Sequence, residues 1–259
     1  MGREEDLERI RAGLERARSI LSRFTAGEVE HRVKQGDDPV TEADLQVNDA
    51  LRECLPREGE GWLSEETADD PRRLECERVW IVDPLDGTRE FVQGIPEWCV
   101  SIGLVEGGRP VAGGICNPST DRIIVGSLET GVTLNGEPCR TRPLQALERC
   151  AILASRSEVK RGEWERFASA PFEVVPMGSV ANKMSLVAAG LADATWTLVP
   201  KHEWDVAAGT ALVEAAGGAV WTPDGGNPVF NRRTPRFTGL LAAPAGLREP
   251  IERFLADGA

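Results

Sequence analysis

The stretch Trp80-Ile81-Val82-Asp83-Pro84-Leu85-Asp86-Gly87-Thr88 decides how this chain is read. Arg78 to Asp83 is a short apolar run ending at a carboxylate, the pattern of a buried strand. Pro84 restricts Asp83 to extended backbone, so the strand delivers that carboxylate at its C-terminal end. Asp86 follows on the turn that leaves the strand, and Gly87 lets backbone approach a ligand closely. A helix starting after Thr88 would present unpaired backbone N–H groups to an anion. Two carboxylates beside such a turn repel each other and the anion, and a divalent cation removes the conflict. Ligands that are all oxygen suit Mg²⁺. The competing reading is an ordinary Asp-Gly turn with solvated charges.

Working outward, Cys99–Val105, Pro110–Cys116 and Arg122–Leu128 read as strands separated by Glu106-Gly107-Gly108 and by 117–121. This predicts an antiparallel meander, with Asn135-Gly136 marking a further hairpin. Upstream, Leu7, Ile10, Leu14, Ala17, Leu21 and Phe24 form one apolar helical stripe, with Glu5/Arg9 and Arg11/Glu15 as i,i+4 pairs on its wet side. Residues 32–40 read as a loop, and Thr41 opens a second helix ending near Pro56. Beyond residue 140 the pattern changes. Strands are expected at Ala151–Ser155, Ala194–Leu198, Val220–Thr222 and Gly239–Ala242. Helices are expected at Glu163–Ala168, Val180–Ala189, Asp205–Ala216 and Leu247–Leu255. The organisation is therefore α+β in two halves, 1–140 carrying most of the acidic motifs and 141–259 carrying Asp205, with a ligand site expected where they meet.

Composition narrows the function. The 259 residues carry 30 basic and 42 acidic side chains, a formal charge of −12, which argues against a nucleic-acid polymer as partner. The six cysteines make no C-x-x-C pair and there are two histidines, so a Cys/His zinc site is poorly supported and a reducing compartment is expected. No apolar run long enough to span a membrane exists, and the first 24 residues lack the apolar core of a signal peptide, which predicts a cytoplasmic protein.

Three further motifs each have a plain structural reading. Thr41-Glu42-Ala43-Asp44 is a helix-capping arrangement. Ser64-Glu65-Glu66-Thr67 reads as solvated loop, and Asp205 after Trp204 as a first-turn helix charge. Their order, T-x-x-D, E-E, D-P-L-D-G-T and W-D-x-A-A-G, changes that. From about Lys34 to Gly218 the chain resembles the inositol monophosphatase superfamily of lithium-sensitive, magnesium-dependent phosphatases. The resemblance implies a layered αβαβα sandwich of the inositol monophosphatase/fructose-1,6-bisphosphatase type. It also implies two or three Mg²⁺ ions, held by Glu65, Asp83, the Leu85 carbonyl, Asp86 and Asp205. Asp44 and Thr88, with Glu65, would activate the attacking water, and Gly87 and Thr88 would cradle the phosphate through their backbone.

The substrate is a small phosphorylated metabolite on this reading. Arg89-Glu90-Phe91 after Thr88, Ser64 before the glutamate pair, and Gly178-Ser179-Val180-Ala181-Asn182-Lys183 resemble the CysQ-type 3′(2′),5′-bisphosphate nucleotidase branch, which hydrolyses 3′-phosphoadenosine 5′-phosphate. Gly178, Ser179 and Lys183 then become expected substrate contacts. The chain has four lysines (34, 160, 183 and 201), leaving 26 arginines of the 30 basic residues, and three of the four lie in or beside the motifs. Inositol phosphatases carry a glutamate where Leu198 stands, which weighs against an inositol ester. The chain has no tyrosine to stack on adenine, leaving Trp98, Trp196 and Trp204 as alternatives to plain packing. Inositol monophosphatase or broad sugar phosphatase activity is the second reading. A dehalogenase-type phosphatase is disfavoured, because its D-x-D is D-x-x-D here. A non-catalytic nucleotide- or metal-binding module is the alternative of another class. Family members occur as monomers and homodimers.

Overall fold

The computed structural model describes residues 2–33 and 39–256; Lys34 lies outside the described residues. The helices are α1 (Arg3–Leu21), α2 (Glu42–Cys54), α3 (Thr88–Val92), α4 (Arg156–Lys160), α5 (Val180–Ala188), α6 (Glu203–Ala215) and α7 (Arg248–Ala256). Strands β1 (His31–Val33) and β2 (Pro39–Thr41) form a two-stranded ribbon. A seven-stranded sheet follows in sequence order: β3 (Gly61–Ser64), β4 (Arg78–Asp86), β5 (Cys99–Glu106), β6 (Arg109–Asn117), β7 (Arg122–Ser127), β8 (Gly131–Leu134) and β9 (Glu137–Cys139). From β4 onward it is the expected antiparallel meander, and β3 joins β4 in parallel.

The remaining strands are β10 (Ala151–Ser155), β11 (Glu173–Met177), β12 (Ala194–Thr197), β13 (Lys201–His202), β14 (Gly218–Trp221), β15 (Arg236–Phe237) and β16 (Leu240–Pro244). Five of them make a second sheet ordered β11-β10-β12-β16-β14, and β13 pairs with β15. The first sheet thus ends at Cys139 and the second begins at Ala151.

Burial sorts these elements into layers. The stripe Leu7, Ile10, Leu14, Ala17 and Leu21 of α1, with Val47 and Leu51 of α2, packs on Trp80, Val82, Val100 and Ile102 of the first sheet. On that sheet's other face, Met184 and Val187 of α5 and Val206, Ala208 and Leu212 of α6 meet Ile81 and Ile115. The same two helices reach Leu153, Val220 and Leu240 of the second sheet. Beyond it, Leu247 and Ile251 cover Ile152, Trp196 and Trp221. The chain is therefore an αβαβα sandwich. Gly113 permits the close middle contact, because a Cβ there would lie 2.7 Å from the Ala208 carbonyl oxygen.

Three sequence expectations need correction. Glu163–Ala168 forms only a 3₁₀ turn at Glu165–Phe167, since two apolar residues three apart, Trp164 and Phe167, fill a single turn. Residues 31–33 and 39–41, at the two ends of the expected loop, pair as strands. Arg9 is not on the wet side of α1: it is buried, pairs with Glu60 and donates to the Leu55 carbonyl. A spacing rule sees only the helix itself, whereas a carboxylate brought in from another element captured this guanidinium.

Candidate active site

Asp83 and Asp86 are three residues apart on β4, so a regular strand would aim them at opposite faces. The ladder to β5 shifts register between Asp83 and Asp86, and such a bulge re-aims side chains. Asp205, on the first turn of α6, completes a cluster in which one carboxylate oxygen from each residue lies within 4.8 Å of the others. Burial raises the Asp83 carboxyl well above the usual carboxylate range, and Glu65, Asp86 and Asp205 push it further. Burial likewise raises Asp86. Burial, then Asp86 and Glu65, push Asp205 up to about 8. Clustered carboxylates with no guanidinium or ammonium in ion-pair contact among the described residues either hold protons, as their raised pKa values express, or take a cation among them.

Each aspartate is held by one oxygen. Asp83 Oδ1 accepts the Leu85 N–H at 3.0 Å. Asp86 Oδ2 accepts the Ser179 hydroxyl at 2.7 Å and the Ala181 N–H at 2.6 Å, which ties the first half to the start of α5. Asp205 Oδ2 caps α6 by accepting the His202 N–H at 2.9 Å. Ser179 adopts φ +54°, a left-handed conformation that costs a non-glycine residue free energy and persists where surroundings enforce it.

The turn after β4 carries a second pair. The Thr88 hydroxyl is 2.9 Å from Asp44 Oδ1 and 2.9 Å from the Leu85 carbonyl oxygen. Asp44 Oδ2 accepts the Thr41 N–H at 2.8 Å and the Thr41 hydroxyl at 2.5 Å, completing the capping box of α2. Asp44 is therefore both the cap and the partner of Thr88, one oxygen for each. Gly87, at φ +95°, turns β4 into α3; a Cβ there would lie 2.8 Å from the Glu97 carbonyl oxygen.

These groups line one cleft of about 300 Å³. Glu65, Asp83, Leu85, Asp86, Gly87, Thr88, Gly178, Ser179, Lys183 and Asp205 are all on its wall, and Asp44 lies behind Thr88. Lys183 is buried, donates to the Met177 carbonyl at 3.3 Å and has no ion-pair partner among the described residues. Burial lowers its ammonium to about 8 against the opposing pull of Asp86. Lys201 also lines the cleft and pairs with Glu158 at 3.3 Å. Trp98 and Trp196 are core residues, whereas Trp204 lines the cleft and stacks on His202 at 4.3 Å. Sequence reasoning missed Arg156, which lines the cleft and binds both Glu97 oxygens at 2.6 Å. One more arginine among 26 carries no local signal.

The inositol monophosphatase family model matches residues 4–256. The chain belongs to the inositol monophosphatase family. It is 35% identical to an inositol monophosphatase of Mesembryanthemum crystallinum over 210 residues, 76% of this chain and 77% of that one. The extragenic suppressor protein suhB of Bartonella henselae superposes with a TM-score of 0.82 at 29% identity, covering 100% of both chains. CysQ of Bacteroides thetaiotaomicron, described as a bacterial member of the same family, superposes with a TM-score of 0.77 at 26% identity, covering 93% of this chain and 97% of that one. The chain is thus a family phosphatase, a phosphoric monoester hydrolase acting on small phosphorylated substrates. No helix among the described residues is long and apolar enough to cross a membrane.

Proposed function

We propose that this phosphatase hydrolyses the monophosphate of a cyclitol or sugar, inositol 1-phosphate being the first member to test, and that it requires Mg²⁺. The carrying observation is the convergence of Asp83, Asp86 and Asp205 in the cleft that Thr88 also lines, with Asp44 hydrogen-bonded behind it. The all-oxygen donor set of Asp83, Asp86 and Asp205, with Glu65 and the Leu85 carbonyl on the same wall, fits Mg²⁺. When bound, Mg²⁺ supplies the positive charge that acidifies water and stabilises the leaving oxygen. The chain does the rest. Thr88 Oγ1 donates its proton to Asp44 Oδ1 and so turns its lone pairs to the attacking water. Asp44 holds its orientation because its other oxygen is fixed by Thr41. Gly87 and Thr88 offer backbone N–H groups to the phosphate, and Ser179 keeps Asp86 aimed.

The choice of ester follows the relatives named as inositol monophosphatases. Hydrolysis of a 3′(2′),5′-bisphosphate nucleotide moves to second place. One observation favours it: Lys183 is a buried ammonium on the cleft wall with no ion-pair partner among the described residues, a fit for a second phosphate. Phosphate release with Mg²⁺ from inositol 1-phosphate and from 3′-phosphoadenosine 5′-phosphate, with Lys183→Ala alongside, separates the two. A preference for the inositol ester, unaffected by the variant, supports the first reading. A preference for the nucleotide that the variant abolishes overturns it.

A further inference from the structure

Glu97 stands between α3 and β5, outside the acidic cluster. Its Oε2 accepts the Gly178 N–H at 2.6 Å, and the Arg156 guanidinium binds both of its oxygens at 2.6 Å. Its backbone packs on Gly87, where an added Cβ would lie 2.8 Å from the Glu97 carbonyl oxygen. One residue therefore touches both the turn that follows Asp86 and the turn that opens α5. The two turns meet again at Asp86, which accepts the Ser179 hydroxyl and the Ala181 N–H. The second turn has to be held in place, because Ser179 sits at φ +54°, a conformation that only its surroundings can enforce. Glu90 presses on the same turn: a Cβ added at Gly178 would lie 2.4 Å from its carboxyl carbon.

Resting on the Mg²⁺ reading above, we propose that Glu97 is a positioning residue for the acidic cluster. By holding Gly178, with Arg156 as its tether, it keeps the Ser179 and Ala181 donors on Asp86 and so sets the affinity for a divalent cation. Losing a hydrogen-bond partner that aims a metal ligand costs about 10- to 100-fold in affinity. Arg156 contributes twice: its two-pronged grip fixes the Glu97 carboxylate, and its charge cancels the one Glu97 would add beside the cluster. Positioning and plain Coulomb attraction therefore predict different results. By charge alone, Glu97→Ala and Glu97→Gln weaken Mg²⁺ equally, and Arg156→Ala tightens it. By positioning, Gln still offers Gly178 an acceptor, and losing Arg156 weakens Mg²⁺ although a positive charge has gone.

Calorimetric titration of the metal-free protein with Mg²⁺ separates them. Kd is expected to rise about tenfold or more in Glu97→Ala, to stay within about threefold of wild type in Glu97→Gln, and to rise about threefold or more in Arg156→Ala. An unchanged Kd in Glu97→Ala, equal losses in the Ala and Gln variants, or tighter binding in Arg156→Ala overturns the proposal. If Glu97→Ala does not fold, the sign of the Arg156→Ala change decides. Amide hydrogen exchange at Ala181 in the metal-free protein reads the same clamp with no ion present. It is expected to be about tenfold faster in Glu97→Ala and near wild type in Glu97→Gln; an unchanged rate in Glu97→Ala overturns the proposal. If the wild type binds no Mg²⁺, the Mg²⁺ reading fails, while exchange at Ala181 still decides whether Glu97 holds the turn.

Discussion

Asp6, Glu60 and Glu106 share three arginines; Asp83, Asp86 and Asp205 share none among the described residues. In the first group Arg3 binds Asp6 at 3.0 Å and Glu106 at 2.9 Å, Arg9 binds Glu60, and Arg78 reaches all three carboxylates. Burial pushes the Glu60 carboxyl up, but hydrogen bonds from Arg9, Trp80, the Arg57 backbone and Arg78 outweigh it and hold it at about 2. In the second group burial and mutual repulsion act unopposed by a guanidinium, and Asp205 rises to about 8. The same chemical group is displaced in opposite directions by the presence or absence of compensation. An uncompensated cluster in a cleft is a candidate functional site, and a compensated one fastens α1 to the sheet.

Substitution breaks this contrast from either side. Asp83→Asn or Asp205→Asn is expected to lower phosphate release with Mg²⁺ about 10³-fold, with circular dichroism unchanged because apo repulsion is relieved. Wild-type turnover in either variant would remove the metal assignment. Thr88→Ala is expected to cost about 10²-fold in kcat and Thr88→Ser much less, since only the hydroxyl is needed. In the balanced cluster the effect is on stability. Glu60→Ala removes the carboxylate that Arg9, Arg78 and the Trp80 indole share and is expected to cost about 3 kcal/mol in denaturant melts, with kcat per folded molecule unchanged; a kcat loss would merge the two clusters in function.

The smallest effect is a pH trend. The folded carboxyl of Asp205 binds its proton more tightly than the unfolded one. The metal-free protein therefore has this contribution fully below about pH 4 and loses it as pH rises toward 8. Melting temperature of the metal-free protein should fall across that window, less so in Asp205→Asn. Saturating Mg²⁺ should reverse the fall in the wild type only, by about 2.7 kcal/mol at a hundred times Kd. A flat profile in metal-free wild type would break the comparison.

Much of this was legible in sequence because short-range rules governed it. Pro84 and Gly87 mark the end of β4, and the glycine-punctuated apolar runs read as the meander that the structure contains. The capping readings of Asp44 and Asp205 hold in the structure, yet they hide the site: each cap uses one oxygen, and the other goes to Thr88 in Asp44 and to the acidic cluster in Asp205, which a single sequence does not show. The Glu97 clamp was invisible because Glu97, Arg156 and Gly178 lie far apart in sequence and meet only when the two halves pack. Arg9 was misplaced for the same reason.

The tie between Asp86 and the start of α5 has a consequence for biosynthesis. Asp86 is made early, but its two hydrogen-bond donors, Ser179 and Ala181, emerge more than ninety residues later, and Asp205 later still. A nascent N-terminal half therefore offers a divalent ion only two of the three clustered carboxylates, one of them unaimed. Under the Mg²⁺-dependent mechanism proposed above, the complete three-carboxylate set exists only once α6 has been made and packed against β4.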